Sequence, residues 1–363
     1  RISAWVSPVL GSYDPSGSDL YVTDELYKDV YESGLNHIYA LYENADIKST
    51  VMAIKASKKY GIKYYIRDTN TKIKNPHKGD LLKLESVKQY KDLDGWYGHL
   101  INDEPKADLF PYLKQLKDVY ETDFPGKDFY VNLLPSYAED WQLGTSTYEE
   151  YIDKWIEILK PKYISLDHYA LLIDDENTGD LILTDDVLYN YEVVSDRCRE
   201  HGLEMYTFIA NISYNTHSRL PSEKEIWWQL FTQLAYGSRG IQYFCYMSPL
   251  EYRNDPTWSV AMVDCNCNKG IQYEYCKKVN QYLRLIADNY LSSKHMGTML
   301  VNGDNSNVIN KAFLKTKNSV KSHSIIEKAS SSEDAIIGCF NNENDESSFI
   351  VMNFTDPGLN KAA

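Results

Sequence analysis

Three adjacent polar residues, Asn102, Asp103 and Glu104, follow an apolar run that begins at Trp96 and end against Pro105. Carboxyl groups of this kind can give a proton to a leaving group or stabilise a developing positive charge. The apolar run is typical of a β-strand, which the proline would stop. In a (β/α)8 barrel, the carboxyl ends of the parallel strands form the face that carries the chemistry. The sequence therefore predicts a site for acid–base chemistry at residues 102–104.

Further polar and aromatic residues stand at the ends of other predicted strands, where the same barrel face would gather them. A face of carboxylates, amides and aromatic rings suits sugar hydrolysis, because one carboxylic acid protonates the leaving oxygen and a second group supports an oxocarbenium-like centre. Aromatic rings can also stack on the C–H faces of sugars. We expect the catalytic residues to be Glu104, Asp103 and Asp167. We expect the substrate-binding residues to be Trp5, Glu43, Asp68, Asn102, Asn132, Tyr169, Asn211, Tyr243 and Tyr246.

The frame that must position these side chains is an alternation of eight short strands and helices. The strands are predicted at residues 2–9, 36–41, 62–66, from 96, and at 129–133, 163–166, 203–209 and 240–246. The helices are predicted at residues 23–32, 50–60, 81–90, 110–120, 148–159, 185–200, 221–235 and 273–286. Such alternation predicts a parallel sheet, and eight units close as a (β/α)8 barrel. An open doubly wound sheet is the alternative, but no glycine-rich phosphate-binding motif follows a strand.

The pattern changes after about residue 292, where helical periodicity ends. The alternating segments 335–340 and 348–353 flank the turn-rich residues 341–346, which predicts a β-hairpin. We therefore expect two domains. Residues 1–291 would form the catalytic barrel, and residues 292–363 would form a small β-sandwich-like domain that is minimal or cut short.

Charge and composition narrow the class of partner. The 363 residues carry a net charge of −14, which argues against nucleic acid or an anionic membrane as the partner. Tyrosine is abundant, with 31 residues beside seven tryptophans, and this composition favours a carbohydrate partner. No apolar run approaches the roughly 18 residues of a membrane-spanning helix.

The sequence does not contain the motifs that several other kinds of catalytic or metal site require. No serine stands in a Gly-x-Ser-x-Gly elbow, no His-Glu-x-x-His occurs, and the eight histidines form no ligand-spaced set. The six cysteines do not form a dense disulfide framework. We therefore expect no metal and no cofactor. The chain opens at Arg1 inside a predicted strand, without a signal peptide, which fits a mature or trimmed end. We expect a secreted, periplasmic or cell-surface protein.

Residues 102–105, Asn-Asp-Glu-Pro, resemble the Asn-Glu-Pro of the large clan of retaining glycoside hydrolases built on this barrel. Residues 130–135, 163–169 and 234–244 resemble segments of uncharacterised bacterial glycoside-hydrolase-like proteins. The resemblance covers about residues 1–290 and implies that Glu104 is the acid/base. The chain departs from the clan in two places. Asp103 replaces the asparagine before the acid, and the seventh predicted strand ends at Asn211 without the glutamate that acts there as nucleophile.

Two arrangements could supply the second catalytic group. In the first, Asp167 is the partner of Glu104 or Asp103, and the distance between the carboxyls sets a retaining or an inverting route. In the second, Asp103 and Glu104 act like the Asp-Glu pair of substrate-assisted hexosaminidases, with Tyr169 binding the acetamido oxygen. Because adjacent strand residues point to opposite faces, this pair requires the strand to bend at its end.

Two functions remain open from the sequence. The first is an O-glycoside hydrolase that acts on an oligosaccharide, polysaccharide or glycan. The second is a carbohydrate-binding barrel without catalysis, which the missing glutamate on the seventh strand would permit. A sugar isomerase or lyase on the same barrel would need a metal or a basic cluster that the sequence does not show.

Overall fold

Eight parallel strands form a closed barrel in the computed structural model, which describes residues 1–12, 20–67, 89–173, 181–304, 310–356 and 358. The strands in chain order are β1 Ile2–Ala4, β2 His37–Tyr39, β3 Lys63–Ile66, β4 Trp96–Asp103, β5 Asp128–Leu133, β6 Tyr163–Leu166, β7 Leu171–Ile173, β8 Leu181–Leu183, β9 Glu204–Ala210, β10 Gly240–Phe244, β11 Lys294–Val301, β12 Ala335–Asn341 and β13 Ser347–Asn353. The barrel runs β1 to β6, then β9 and β10, and closes by pairing β10 with β1. The predicted (β/α)8 barrel with a small C-terminal β-region is confirmed.

Helices follow the barrel strands and cover the outside. They are α1 Asp24–Glu32, α2 Ile47–Lys59, α3 Phe110–Asp123, α4 Asp140–Leu143, α5 Tyr148–Leu159, α6 Val187–His201, α7 Glu223–Ala235, α8 Ile271–Leu291 and α9 Lys311–Lys315. Local sequence explains their starts. The side chain of Ser222 accepts from the amide of Glu225, whose carboxylate accepts from the amide of Ser222, and this capping box begins α7. Most of the helix predicted at residues 81–90 lies outside the described residues.

The barrel interior is lined with tyrosines rather than with aliphatic side chains. The rings of Tyr39, Tyr65 and Tyr130 contact one another, with centroids 4.5–5.7 Å apart, and those of Tyr163 and Tyr206 stack at 4.5 Å. Arg1 and Asp128 form an ion pair of 3.0 Å among these rings at the N-terminal end of the barrel. Much of the unusual tyrosine content therefore builds the core.

The antiparallel sheet β11–β12–β13 packs against α7 of the barrel. Thr298 donates its hydroxyl to the carbonyl of Ala235 at 2.8 Å, and the ring of Phe354 lies 5.3 Å from that of Trp228. The backbone of β12 at Gly338 passes so close to α7 that a Cβ at this residue would lie 2.4 Å from the carbonyl oxygen of Ala235. The hydrophobic core is consequently continuous between the barrel and this sheet. The division at residue 292, between α8 and β11, stays a prediction.

Within the described residues, none of the helices combines the length and the apolar character needed to cross a membrane.

Candidate functional site

The end of β4 is bent, and the bend sets the direction of Glu104. The pairing register between β4 and β5 shifts between Leu100 and Asn102, which marks a bulge. Glu104 then adopts a left-handed backbone conformation with φ of 51°, and its amide donates to the carbonyl of Asn132 at 2.8 Å. Because the strand bends here, Asp103 and Glu104 are released from the strict alternation of strand side chains. A bend of this kind is what a cooperating Asp-Glu pair would need, and the roles of the two carboxyls stay a prediction.

Glu104 is open to solvent on one side of the barrel face, yet its carboxyl group is not an ordinary surface acid. The protein wall around the carboxyl and the charge of Asp103 raise the pKa of Glu104 to about 7. Within the residues that the structure describes, no side chain donates a hydrogen bond to this carboxyl. Glu104 therefore keeps its proton to higher pH than an ordinary glutamate, which suits a general acid.

Asp167 follows β6 on the same face and is half-buried. Burial raises its pKa well above the usual range, and the charges of Glu104 and Asp103 add to that rise. The Nδ2 of Asn132 donates to the Oδ1 of Asp167 at 2.6 Å and acts in the opposite direction. The carboxyls of Asp103, Glu104 and Asp167 thus form one electrostatically coupled group, whose protons belong to the group rather than to single residues.

Tyrosines surround this group of carboxyls. The rings of Tyr169 and Tyr214 lie 5.5 Å apart, and burial together with the charge of Asp167 raises the pKa of both hydroxyls. Tyr137, in the loop after β5, is under the same influence of Asp167 and also of Glu104. Tyr137 is 49% exposed, and Trp141 on α4 of the same loop is 72% exposed. Both rings are exposed on the loop after β5, and Tyr137 lies near the carboxyls. The sequence analysis did not single them out.

A second feature missed from the sequence lies directly behind Asp167. The Nε2 of His168 is 3.1 Å from the Oδ1 of Asp186, and the hydroxyl of Ser136 donates to the other oxygen of Asp186 at 2.5 Å. The ring of Tyr137 packs edge-on against that of His168 at 5.0 Å. Asp186 therefore ties the loop after β5 to the end of β6. The sequence placed His168 beside Asp167 but carried no signal that Asp186 would meet it.

Three of the predicted binding residues lie at strand ends beside this face. Asn102 is half-buried on β4. Trp5 follows β1, is buried, and packs edge-on against Phe208 at 5.7 Å. Asn211 follows β9, is fully buried, and donates its Nδ2 to the carbonyl of Cys245 at 2.9 Å.

Three other predicted binding residues lie beneath the helices and away from the open face. Glu43 is fully buried, where its Oε1 accepts from the hydroxyls of Ser7 and, at 2.7 Å, Tyr64. Tyr243 donates to Oδ1 of Asn280 on α8 at 2.8 Å, and Tyr246 is fully buried nearby. Asp68 lies outside the described residues. The sequence could place these residues near strand ends but could not tell which side of the barrel wall they face.

Comparisons with solved structures show a shared fold. A β-galactosidase from the psychrophilic Marinomonas ef1 superposes with a TM-score of 0.55 at 8% identity, over 80% of this chain and 60% of that one. A polyextremophilic β-galactosidase from the haloarchaeon Halorubrum lacusprofundi gives a TM-score of 0.51 at 11% identity, over 78% of this chain and 58% of that one. The chain thus spans about three fifths of the length of these proteins. No protein-family model and no curated protein sequence matches it. The structural likeness to these two proteins shows a shared barrel fold.

Proposed function

We propose that this chain is an O-glycoside hydrolase acting on an oligosaccharide, polysaccharide or glycan, with Glu104 as the general acid. The observation that carries the proposal is the coupled group of Asp103, Glu104 and Asp167 on the C-terminal face of the barrel, with the pKa of Glu104 raised to about 7. Groups with displaced pKa values in an open face are typical of catalytic sites. The barrel likeness to two β-galactosidases adds support at the level of the fold.

In the proposed reaction, the proton of Glu104 passes to the glycosidic oxygen as the bond to the anomeric carbon breaks. The sugar ring develops positive charge, which a carboxylate of the group stabilises until water adds to the anomeric carbon and gives its proton to the carboxyl group. We assign this second role to Asp167 in the arrangement of the coupled group that has the proton on Glu104. The Asn132 amide, which donates to Asp167 at 2.6 Å, favours that arrangement, whereas burial of Asp167 and the charges of Glu104 and Asp103 oppose it. Asp103 contributes the negative charge that keeps Glu104 protonated.

The aromatic residues around the carboxyl group favour a carbohydrate as the substrate. Tyr137 and Trp141 present exposed rings on the loop after β5, and sugars stack on such rings through their C–H faces. Tyr169 lies within the influence of the charges of Asp167 and Asp103, and its hydroxyl can donate a hydrogen bond to a sugar or to its acetamido group.

Replacing Glu104 by glutamine tests the general-acid role. Glu104→Gln should lower kcat by about 10²- to 10⁴-fold on natural glycans, since proton donation to the leaving group contributes that much. On aryl glycosides with an acidic phenol as leaving group the loss should be small, because such a group leaves without protonation. The measurement is steady-state kinetics on both substrate classes, after a glycan panel has identified the sugar.

Glu204→Gln is the matched control, since Glu204 begins β9 at the opposite end of the barrel and should retain full activity. Equal losses for Glu104→Gln on activated and natural substrates would contradict the general-acid assignment.

A second candidate function is a non-catalytic carbohydrate-binding barrel. The observation that favours it is Asn211, an amide at the end of β9 that is hydrogen-bonded to the carbonyl of Cys245. Hydrolysis by the wild type that is lost in Glu104→Gln, with glycan binding retained, supports the enzyme. Binding without turnover by the wild type across the panel supports the second candidate.

A further inference from the structure

A chain of buried hydrogen bonds runs through the barrel interior and ends on Asp167. The Nδ2 of Asn132 donates to the Oδ1 of Asp167 at 2.6 Å, and the hydroxyl of Ser165 donates to the Oδ1 of Asn132 at 2.9 Å. The Nε2 of Gln242 donates in turn to the Oγ of Ser165 at 2.8 Å. Asn132, Ser165 and Gln242 are almost fully buried, on β5, β6 and β10. The chain therefore crosses the barrel from strand to strand without reaching water.

The same chain continues towards the N-terminal end of the barrel. Tyr39 donates its hydroxyl to the Oε1 of Gln242 at 2.9 Å, and the guanidinium of Arg1 donates to the hydroxyl of Tyr39 at 3.2 Å. Every donor in this sequence points towards Asp167. Hydrogen bonds that align in this way polarise and strengthen one another in a low-dielectric interior.

The chain decides which end of the Asn132 amide faces Asp167. The hydroxyl of Ser165 has one hydrogen, and it can donate that hydrogen to Asn132 because Gln242 supplies the bond that Ser165 accepts. The Oδ1 of Asn132 then faces Ser165, and its Nδ2 faces Asp167. If the amide turned over, its oxygen would face the carboxylate oxygen and its Nδ2 would face the donating hydroxyl of Ser165, so both hydrogen bonds would be lost.

We propose that Ser165 and Gln242 are positioning residues that hold the Asn132 amide as a hydrogen-bond donor towards Asp167 and so favour the ionised form of Asp167 against the burial and the neighbouring carboxylates that oppose it. Their role in turnover rests on the proposed function. Their effect on the ionisation of Asp167 does not, since a donor that faces a carboxylate stabilises its charge in any context.

The titration of Asp167 also feels the groups that face it. The neighbouring carboxyls are Asp103 and Glu104 at the end of β4. The neighbouring hydroxyls belong to Tyr137, Tyr148, Tyr151, Tyr169, Tyr191 and Tyr214. None of these residues is altered by a substitution at Ser165 or Gln242, so their influence is common to the variants and the wild type.

The test is a direct titration of Asp167 in the full chain. Carbon NMR of protein labelled at the aspartate carboxyls reports each midpoint, and Asp167→Asn identifies the signal of Asp167. Ser165→Ala should raise the midpoint by about 0.5–1 pH unit, because the Asn132 amide loses the bond that orients it. Gln242→Leu should raise it in the same direction and covers the case in which one variant fails to fold.

Thr207→Val is the matched control. Thr207 on β9 is also a fully buried hydroxyl, but its partners are Gln233 and Ser238, outside the chain that leads to Asp167. Its substitution should leave the midpoint of Asp167 unchanged. If activity is present, the acid limb of kcat/KM in Ser165→Ala should move to higher pH with the midpoint, a change that a general loss of packing would not produce.

The outcomes separate this inference from the proposed function. A midpoint in Ser165→Ala and Gln242→Leu that equals the wild-type value, or that moves equally in Thr207→Val, overturns the inference whatever the activity. A raised midpoint in a protein that hydrolyses no glycoside supports the control of Asp167 ionisation and overturns the proposed function alone.

Discussion

At the scale of single residues, the charge of Asp103 affects the pKa values of both other carboxyls of the site, and one substitution can remove it. The protein wall beside the Glu104 carboxyl and the charge of neighbouring Asp103 raise the pKa of Glu104 to about 7. Asp103→Asn removes a negative charge beside both Glu104 and Asp167, so both carboxyls should ionise at lower pH. The two limbs of kcat/KM report the protonation of the coupled carboxyl group as a whole, and both should therefore move to lower pH. The measurement is the pH dependence of kcat/KM.

The control for this substitution is Asp94→Asn, which removes an aspartate near the other end of β4. Asp94 is exposed and paired with Lys58, so its loss should leave both limbs in place. An alkaline limb that stays fixed in Asp103→Asn would show that the coupled carboxyl group does not set it.

The sequence predicted the three carboxyls as one group because parallel strands bring their carboxyl ends to one face. It could not assign the face of each side chain on β10. Strand residues alternate, and the alternation points Gln242 into the barrel and Tyr243 out towards α8. β10 is buried on both of its faces, so the polarity of these two residues does not indicate which side chain points into the barrel. Ser165 and Gln242 were missed for the same reason.

At the scale of elements, Asp186 holds two segments of the site in register. It accepts from Ser136 after β5 and faces His168 after β6. Asp186→Ala should destabilise the protein by about 2–4 kcal/mol, because it leaves His168 and Ser136 buried without their partner. Activity should fall as well, since Tyr137 packs on His168. Urea unfolding at neutral pH gives the free energy of unfolding.

Asp185→Ala is the neighbouring control. Asp185 pairs with Lys315 on the surface, and such a pair contributes less than about 1 kcal/mol. The pH dependence adds a second check. Burial opposes the charge of Asp186, but His168 and Ser136 outweigh it and hold the pKa of Asp186 well below its usual range. Its stabilising contribution is therefore present above the ordinary pKa of about 4 and is lost as pH falls below it. Equal unfolding free energies for both variants would contradict the role of Asp186.

The element boundaries show what sequence patterns can resolve. β6 and α5 lie at the predicted residues, because Pro161 precedes the strand and Thr147 caps the helix. β11 was missed, since its sequence contains lysine, glycine and two methionines and lacks a clear alternation. The hairpin β7–β8 was missed because each strand has only three residues. Short or irregular strands depend on tertiary pairing rather than on local preference.

At the scale of the whole molecule, the C-terminal sheet is docked on the barrel through a glycine. A Cβ at Gly338 would lie 2.4–2.8 Å from the backbone of Ala235 on α7. Gly338→Ala should destabilise the protein by about 1–3 kcal/mol or more, because β12 or α7 must shift to admit the methyl group. The measurement is thermal unfolding followed by circular dichroism.

Val351→Ala is the control on the same sheet. Val351 is 64% exposed, and its truncation should change stability by no more than about 0.5 kcal/mol. Equal unfolding temperatures for Gly338→Ala and the wild type would mean that the sheet is docked loosely on the barrel.

The tyrosine-lined interior gives the barrel an optical signature. Burial raises the pKa of Tyr39 to about 12 and the pKa values of Tyr65, Tyr130 and Tyr163 well above the ordinary value. Exposed phenols ionise near pH 10 and absorb in the near ultraviolet as they do so. The interior tyrosines should stay un-ionised in that pH range, and their near-ultraviolet absorbance should change only when the barrel strands separate. An alkaline spectrophotometric titration therefore reports opening of the barrel without any added label.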